Sequence, residues 1–151
     1  MKKRSFISRI VIVTFFVSTF CTKLSANEYA LIVNTKNAYT ASSDNMKREA
    51  RLLFLKEKNN WPNGKKAQPL GSDPSSKEYA YFIDNILNMS TADLAQHWLK
   101  KKQISGNTPP REYKSNRILL KLVAKYEGGF AIINLKDAEV LPDGTRVLFN
   151  F

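Results

Sequence analysis

A short stretch with the sequence GSDPSSKEYAYF, residues 71–82, places hydroxyl, acidic and basic side chains directly before an apolar helical pattern. Ser75 and Ser76 supply hydroxyl donors, and Lys77 supplies a positive charge. The unpaired amides at the start of a helix carry partial positive charge and bind anions. These residue types at this spacing therefore predict a small-anion site.

The same stretch also has the features of an ordinary helix start. Asp73 suits the N-cap position and Pro74 suits the first helical position. A capping carboxylate at Asp73 occupies the amides that an anion needs, and its charge repels the anion. The residues alone leave both interpretations open.

A second cluster of cations lies in residues 100–113, which we predict to be a basic loop because Gly and two prolines follow the lysines at 100–102. Arg111 in this loop is a further candidate for contact with the anion. Single-stranded nucleic acids need exposed aromatics interleaved with basic residues. Trp98 and Tyr113 are instead expected in the core and at its rim, so no nucleic-acid partner is predicted.

Catalytic chemistry has little support in the sequence. The one histidine, His97, lies in a helical pattern between Gln96 and Trp98 and is expected at the surface or in packing. Carboxylates such as Asp84 and Asp93 have the polar neighbours of solvated helix faces. We therefore expect neither an enzyme nor a metal or other cofactor.

The N-terminus predicts export. Residues 1–26 combine a basic start, an apolar run of about 11 residues and Ala26 as the last residue before cleavage, which is the pattern of a signal peptide. The run is shorter than the roughly 20 residues that span a bilayer. A retained anchor helix is the alternative, and lipidation of Cys21 is disfavoured by the large Phe20 before it. A periplasmic domain of residues 27–151, without cysteine, is predicted.

The charge of that domain is moderately positive. Nineteen of the 24 Lys and Arg residues and all 13 acids follow residue 26, which gives a net charge of +6. Such a balance favours anionic partners, although an ordinary soluble surface explains it as well.

The elements that must position these residues alternate between strands and helices. Apolar runs predict strands at 28–34, 130–135 and 145–151, with a weaker signal at 65–70. Helices are predicted after Ser42 or Ser43, from Pro74 to about 88, after Ser90 or Thr91, and after Ser115, where Ile118, Leu119, Leu122 and Val123 are expected to face inward. Apolar strands alternating with helices predict an α/β fold, a single three-layer domain with a small mixed, partly parallel sheet.

The order of motifs along residues 27–151 resembles the short members of the phosphate-binding-protein-like family, relatives of the substrate-binding subunit of phosphate ABC transporters. The motifs are ALIVN, LLFL, WPNG, PLGSDPSSKEYAYF, HWLKKKQISGNTPPRE and LVAKYEGGFAIIN. The matching residues are Trp61, Pro62, Gly64, Ser75, Phe82, Gly106, Pro109, Pro110, Arg111 and the stretch 128–132. Three departures are visible: Lys56 replaces the glycine that ends the first helix, residues 73–77 lack the glycine and arginine of the phosphate loop, and the stretch GGFAII, residues 128–133, lacks the usual tyrosine.

This resemblance implies one lobe of a type II periplasmic binding protein that binds phosphate or a similar small oxyanion in the periplasm. The anion-binding residues would be Ser75, Ser76, Lys77 and Arg111. The implied partner is an inner-membrane ABC permease or another periplasmic protein. The alternative is an interaction or sensory module of the same fold without a transport role.

Overall fold

A computed structural model describes residues 28–151 of the chain. The predicted signal peptide, its cleavage site and Cys21 lie outside these residues. The elements are β1 Tyr29–Asn34, α1 Ser43–Phe54, β2 Gln68–Pro69, β3 Gly71–Ser72, α2 Lys77–Phe82, α3 Thr91–Ser105, β4 Glu112–Tyr113, α4 Asn116–Lys125, β5 Gly129–Asn134 and β6 Thr145–Asn150. A π-helical turn, Ile83–Leu87, continues α2, and a 3₁₀ turn, Leu135–Ala138, follows β5.

The main sheet has four strands in the order β2-β5-β1-β6. The apolar strand β1 lies inside it and pairs antiparallel with both β5 and β6, whereas the short strand β2 runs parallel to β5. Strands β3 and β4 form a separate parallel pair. The prediction of a small mixed, partly parallel sheet is therefore confirmed.

Side chains of β1 alternate between two apolar cores, because successive residues of a strand point to opposite faces of the sheet. Leu31 and Val33 belong to the core that α1, α2 and α3 cover, with Phe54, Phe82 and Trp98 among its members. Ala30 and Ile32 belong to the core covered by α4. Helices on both faces of the sheet make the predicted three layers.

The start of α2 differs from the prediction. The N-cap is Ser76, whose hydroxyl accepts a hydrogen bond from the Tyr79 amide at 3.1 Å. Asp73 and Pro74, expected at the N-cap and first helical position, lie in the turn before it. The Asp73 carboxylate closes that turn locally, so the helix begins three residues later than predicted.

Two further differences concern α3 and α4. Helix α3 continues to Ser105 and ends at Gly106, whose φ of 69° suits glycine. The lysines at 100–102 are therefore helical, not part of a loop. On α4, Ile118 is 47% exposed and Leu120 is buried in its place beside Leu119, because the buried stripe lies one residue further round the helix.

No helix within residues 28–151 combines the length and the apolar character needed to cross a membrane.

Candidate functional site

The turn that carries Ser75 is closed by its own side chains. One oxygen of the Asp73 carboxylate accepts hydrogen bonds from both the amide and the hydroxyl of Ser75, at 2.9 and 2.8 Å. These bonds hold the pKa of Asp73 below its ordinary value, because they favour the charged form. The hydroxyl of Ser76 accepts the Tyr79 amide, so both serine side chains have local partners.

A second carboxylate lies close to this turn. Glu112 on β4 has a raised pKa, caused first by desolvation and then by the negative charge of Asp73. Glu112 and Pro74 line one cavity of about 270 Å³, together with apolar side chains that include Tyr79 and Trp98. The turn thus faces a largely apolar pocket that contains a carboxylate.

Arg111 opens onto a different cavity, although it directly precedes Glu112. Successive residues of an extended segment point in opposite directions. The cavity that Arg111 lines has a volume of about 600 Å³. Its lining includes four cationic residues, Lys56, Lys58, Lys66 and Arg111. Neutral polar groups of Asn59, Gln68, Asn107 and Thr108 complete its polar lining. We call this cavity the basic cleft; none of its lining residues within 28–151 is acidic.

Three segments form the walls of the basic cleft. Residues 56–59 follow α1, residues 66–69 comprise β2 and the two residues before it, and residues 107–111 connect α3 to β4. Pro109 and Pro110 line both the basic cleft and the apolar pocket, so they separate the two cavities. Arg111 and the Ser75 turn are therefore not brought into one cavity.

Lys56 ties the first wall of the basic cleft to the third. Its ammonium group donates a hydrogen bond to the Thr108 carbonyl at 2.8 Å, and its own carbonyl accepts one from the Lys101 ammonium at 3.1 Å. The backbone of Lys56 is left-handed, with φ of 52°, which side chains other than glycine rarely adopt. Helix α1 therefore ends in a conformation that places a lysine across the cleft.

The second wall is fixed to the end of α4 through Gly128. The carbonyl of Gly128 accepts the Trp61 indole N–H at 3.0 Å and the Gln68 amide at 2.9 Å. A Cβ atom on Gly128 would lie only 1.8 Å from the Lys66 carbonyl oxygen. Only glycine allows this approach, so the matched Trp61 and Gly128 motifs position the backbone that carries Lys66.

The four cations of the basic cleft differ in whether another group of the protein already binds them. The Lys58 ammonium lies 2.8 Å from the carboxylate of Glu49, whose side chain is only 6% exposed, so much of that charge is neutralised. Lys66 and Arg111 are exposed and form no ion pair with an acid in residues 28–151. The Arg111 guanidinium lies over the Tyr113 ring, 5.5 Å from its centroid. Lys66 and Arg111 thus supply the uncompensated charge.

The structure also shows where the other residues considered in the sequence analysis lie. Nε2 of His97 lies 3.1 Å from the Leu55 carbonyl oxygen, and Trp98 is buried. The Asp93 carboxylate accepts hydrogen bonds from the hydroxyl and the amide of Ser90, the N-cap of α3. These bonds lower the pKa of Asp93. Within residues 28–151, no group of histidine and acidic side chains has an arrangement that could hold a metal ion.

Arg111 was a predicted anion contact, whereas Lys56, Lys58 and Lys66, which line the same basic cleft, were not predicted. One signal for Lys56 was present in the sequence. Lys56 stands where the family that the sequence resembles has a glycine, and a residue other than glycine has to adopt positive φ there. Nothing in the local sequence connects the lysines near 60 to residues 107–111, which are brought together only by the fold.

Comparison with solved structures supports the fold. The chain is similar to the crystal structure of PstS from Borrelia burgdorferi, with a TM-score of 0.59 and 19% identity over 80% of this chain and 46% of that one. It is also similar to an ABC-type phosphate transport receptor from Vibrio cholerae, with a TM-score of 0.57 and 15% identity over 80% of this chain and 45% of that one. The chain spans less than half the length of these proteins. The predicted fold, an α/β domain that resembles one lobe of a type II periplasmic binding protein, is therefore confirmed.

No family model matches the sequence, and no curated protein matches it.

Proposed function

We propose that this protein binds phosphate or a similar small oxyanion, and that the anion occupies the basic cleft. The observation that carries the proposal is the cleft lining, which has four cationic side chains and, within residues 28–151, no carboxylate. Cations grouped in a concave surface raise the local concentration of anions. Arg111 is the predicted site residue that belongs to this lining, and its planar guanidinium suits two-point contact with an oxyanion.

The similarity to phosphate receptors supports a phosphate-binding-like role in general terms. With the predicted signal peptide at residues 1–26, it favours a periplasmic location. An inner-membrane ABC permease, or another periplasmic protein, is the corresponding partner.

Ser75, Ser76 and Lys77 define an alternative position for the same anion. Exposed Lys77 supplies charge there, but the Ser75 donors already contact Asp73. An anion at this turn has to displace the Asp73 carboxylate or share its donors. The geometry therefore favours the basic cleft over the turn.

Calorimetric titration of the purified protein with phosphate at low ionic strength, with sulfate as competitor, tests the proposal. We expect saturable binding that Lys66→Gln with Arg111→Gln reduces at least about tenfold, because two charge-assisted contacts are lost. The matched control is Arg117→Gln with Lys121→Gln on the exposed face of α4, which removes the same charges elsewhere. Ser75→Ala with Lys77→Ala should leave the affinity nearly unchanged.

Loss of binding in the Ser75→Ala, Lys77→Ala variant, with normal binding in the cleft variant, would place the anion at the serine turn. The absence of saturable phosphate binding would contradict the proposed function. That result would favour the second candidate, an interaction or sensory module, which the occupied donors of Ser75 also favour.

A further inference from the structure

The basic cleft is larger than one small oxyanion requires. Its volume of about 600 Å³ lies within the range of roughly 300–1,000 Å³ that is typical of sites for organic ligands. A single phosphate ion in this space contacts part of the lining and leaves the remainder to water. The size of the cleft therefore indicates a ligand with more than one polar group.

The cationic residues are distributed over separate walls. Lys66 lies on the segment leading into β2, and Arg111 lies on the connection from α3 to β4. Both side chains are exposed, and within the described residues neither is paired with an acid. Because exposed charge pairs are screened by water and salt, one contact of this kind contributes little. Strong binding in an open cleft requires one ligand to engage several of these cations together.

The remaining lining offers neutral hydrogen-bonding groups. Asn59 and Gln68 are exposed on two of the walls, and Asn107 contributes its amide beside Thr108 on the third. The Asn107 side chain donates to the Ser105 hydroxyl at 2.9 Å, which leaves its amide oxygen as an acceptor. Such groups match bridging oxygens and hydroxyls of a larger phosphate compound, in addition to its terminal charged oxygens.

We propose that the basic cleft recognises a ligand with at least two linked phosphoryl groups, bridging Lys66 and Arg111, in preference to orthophosphate. This inference rests on the proposed anion-binding function and specifies its ligand class. Lys56 donates a hydrogen bond to the Thr108 carbonyl, which links the segment after α1 to the segment that carries Arg111. Pyrophosphate is the smallest compound with the required chemistry.

Titration of the protein with four different anions, each under the same conditions, tests this inference directly. Pyrophosphate, orthophosphate, sulfate and a sugar monophosphate are titrated into the purified protein at one ionic strength and without divalent cations. We expect pyrophosphate to bind about tenfold tighter than orthophosphate, because it engages a second cation. Lys66→Gln and Arg111→Gln should each remove most of that preference, while Arg117→Gln with Lys121→Gln should retain it.

The outcomes separate this inference from the proposed function. Equal or tighter binding of orthophosphate would overturn the diphosphate preference and leave oxyanion binding intact. A tighter sugar monophosphate would also overturn it, because one phosphoryl group and hydroxyls would then suffice. Failure of all four anions to bind would overturn both. A pyrophosphate preference that survives in the Lys66 and Arg111 variants would exclude the basic cleft as its source.

Discussion

Lys56 combines an unfavourable backbone conformation with a contact across the basic cleft. A left-handed conformation costs a residue other than glycine roughly 1–2 kcal/mol. The Lys56 ammonium recovers part of that cost through its hydrogen bond to the Thr108 carbonyl. Strained residues of this kind occur where a side chain has a positional role, which agrees with a lysine that links two segments lining the basic cleft.

Two substitutions at Lys56 separate its backbone from its side chain. Lys56→Gly loses the contact with Thr108 but relieves the strain, so the free energy of unfolding should change by less than about 1 kcal/mol. Lys56→Met keeps the strain and loses the contact, so this variant should be the less stable of the two. Urea denaturation measures both values. A glycine variant less stable than the methionine variant would contradict the assigned conformation.

The depressed pKa of Asp73 provides a test of the Ser75 turn. Ser75→Ala removes the hydroxyl hydrogen bond but keeps the amide bond, so the pKa of Asp73 should rise toward its ordinary value. Carboxyl NMR titration measures this shift. Asp93 is a matched internal control, because its pKa is lowered by Ser90 on another helix and should not move.

The sign of the pH dependence follows from the direction of the shift. A carboxyl group whose pKa is lowered by folding stabilises the folded state above its unfolded pKa, and that stabilisation is lost as the pH falls through the folded value. Ser75→Ala should therefore weaken the contribution of Asp73 at neutral pH. An unchanged Asp73 pKa in the variant would show that the serine hydroxyl does not hold the carboxylate in solution.

Elements with a clear apolar pattern were predictable, because burial of a whole face determines them. Strands β1, β5 and β6 and helix α1 follow their apolar runs closely. The start of α2 was not predictable from propensity alone, since Asp73, Ser75 and Ser76 all suit a cap and only the local hydrogen bonds select Ser76. The end of α3 was predicted too early because the lysines at 100–102 were assigned to the loop with the glycine and prolines that follow. Lysine is a good helix former, so the helix continues to Ser105, and Gly106 is the actual stop signal.

Gly128, which precedes β5, packs directly against the backbone of Lys66, which precedes β2. A Cβ atom there would meet the backbone of Lys66 at 1.8 Å, and backbone cannot rotate away as a side chain does. Gly128→Ala should therefore lower the free energy of unfolding by about 1–3 kcal/mol or more and displace the wall that carries Lys66.

A matched glycine substitution isolates this effect. Gly106→Ala introduces a Cβ into open space at φ of 69°, so it should cost only the roughly 1 kcal/mol of a left-handed conformation. Thermal unfolding of the two variants gives the comparison. Equal destabilisation would mean that the approach of Lys66 to Gly128 does not limit the substitution.

On the scale of the whole molecule, the candidate site depends on contacts between distant parts of the chain. Lys56 meets Thr108 across 52 residues, and Trp61 meets Gly128 across 67. The motifs around Trp61, Pro109 and Gly128 are visible in the sequence, but nothing in the sequence shows that they enclose one cleft. The predicted anion contacts were Ser75, Ser76 and Lys77 at a helix start, with Arg111 from the basic loop, because a helix start is recognisable locally, whereas a cleft is not.

Residues 28–151 form a layered α/β fold that is similar to part of the solved phosphate receptors. Its basic cleft lies open at the surface, so water screens each charged contact. This arrangement is consistent with binding through several contacts at once, not through enclosure of one ion.

The most direct test of the central claim is chemical-shift mapping of backbone amides during titration with phosphate and then pyrophosphate. The basic cleft predicts saturable shifts concentrated at residues 56–59, 66–68, 107, 108 and 111, larger at low than at high ionic strength. Shifts confined to residues 73–79, or no saturable shift with either anion, would contradict the assignment of the anion to the cleft.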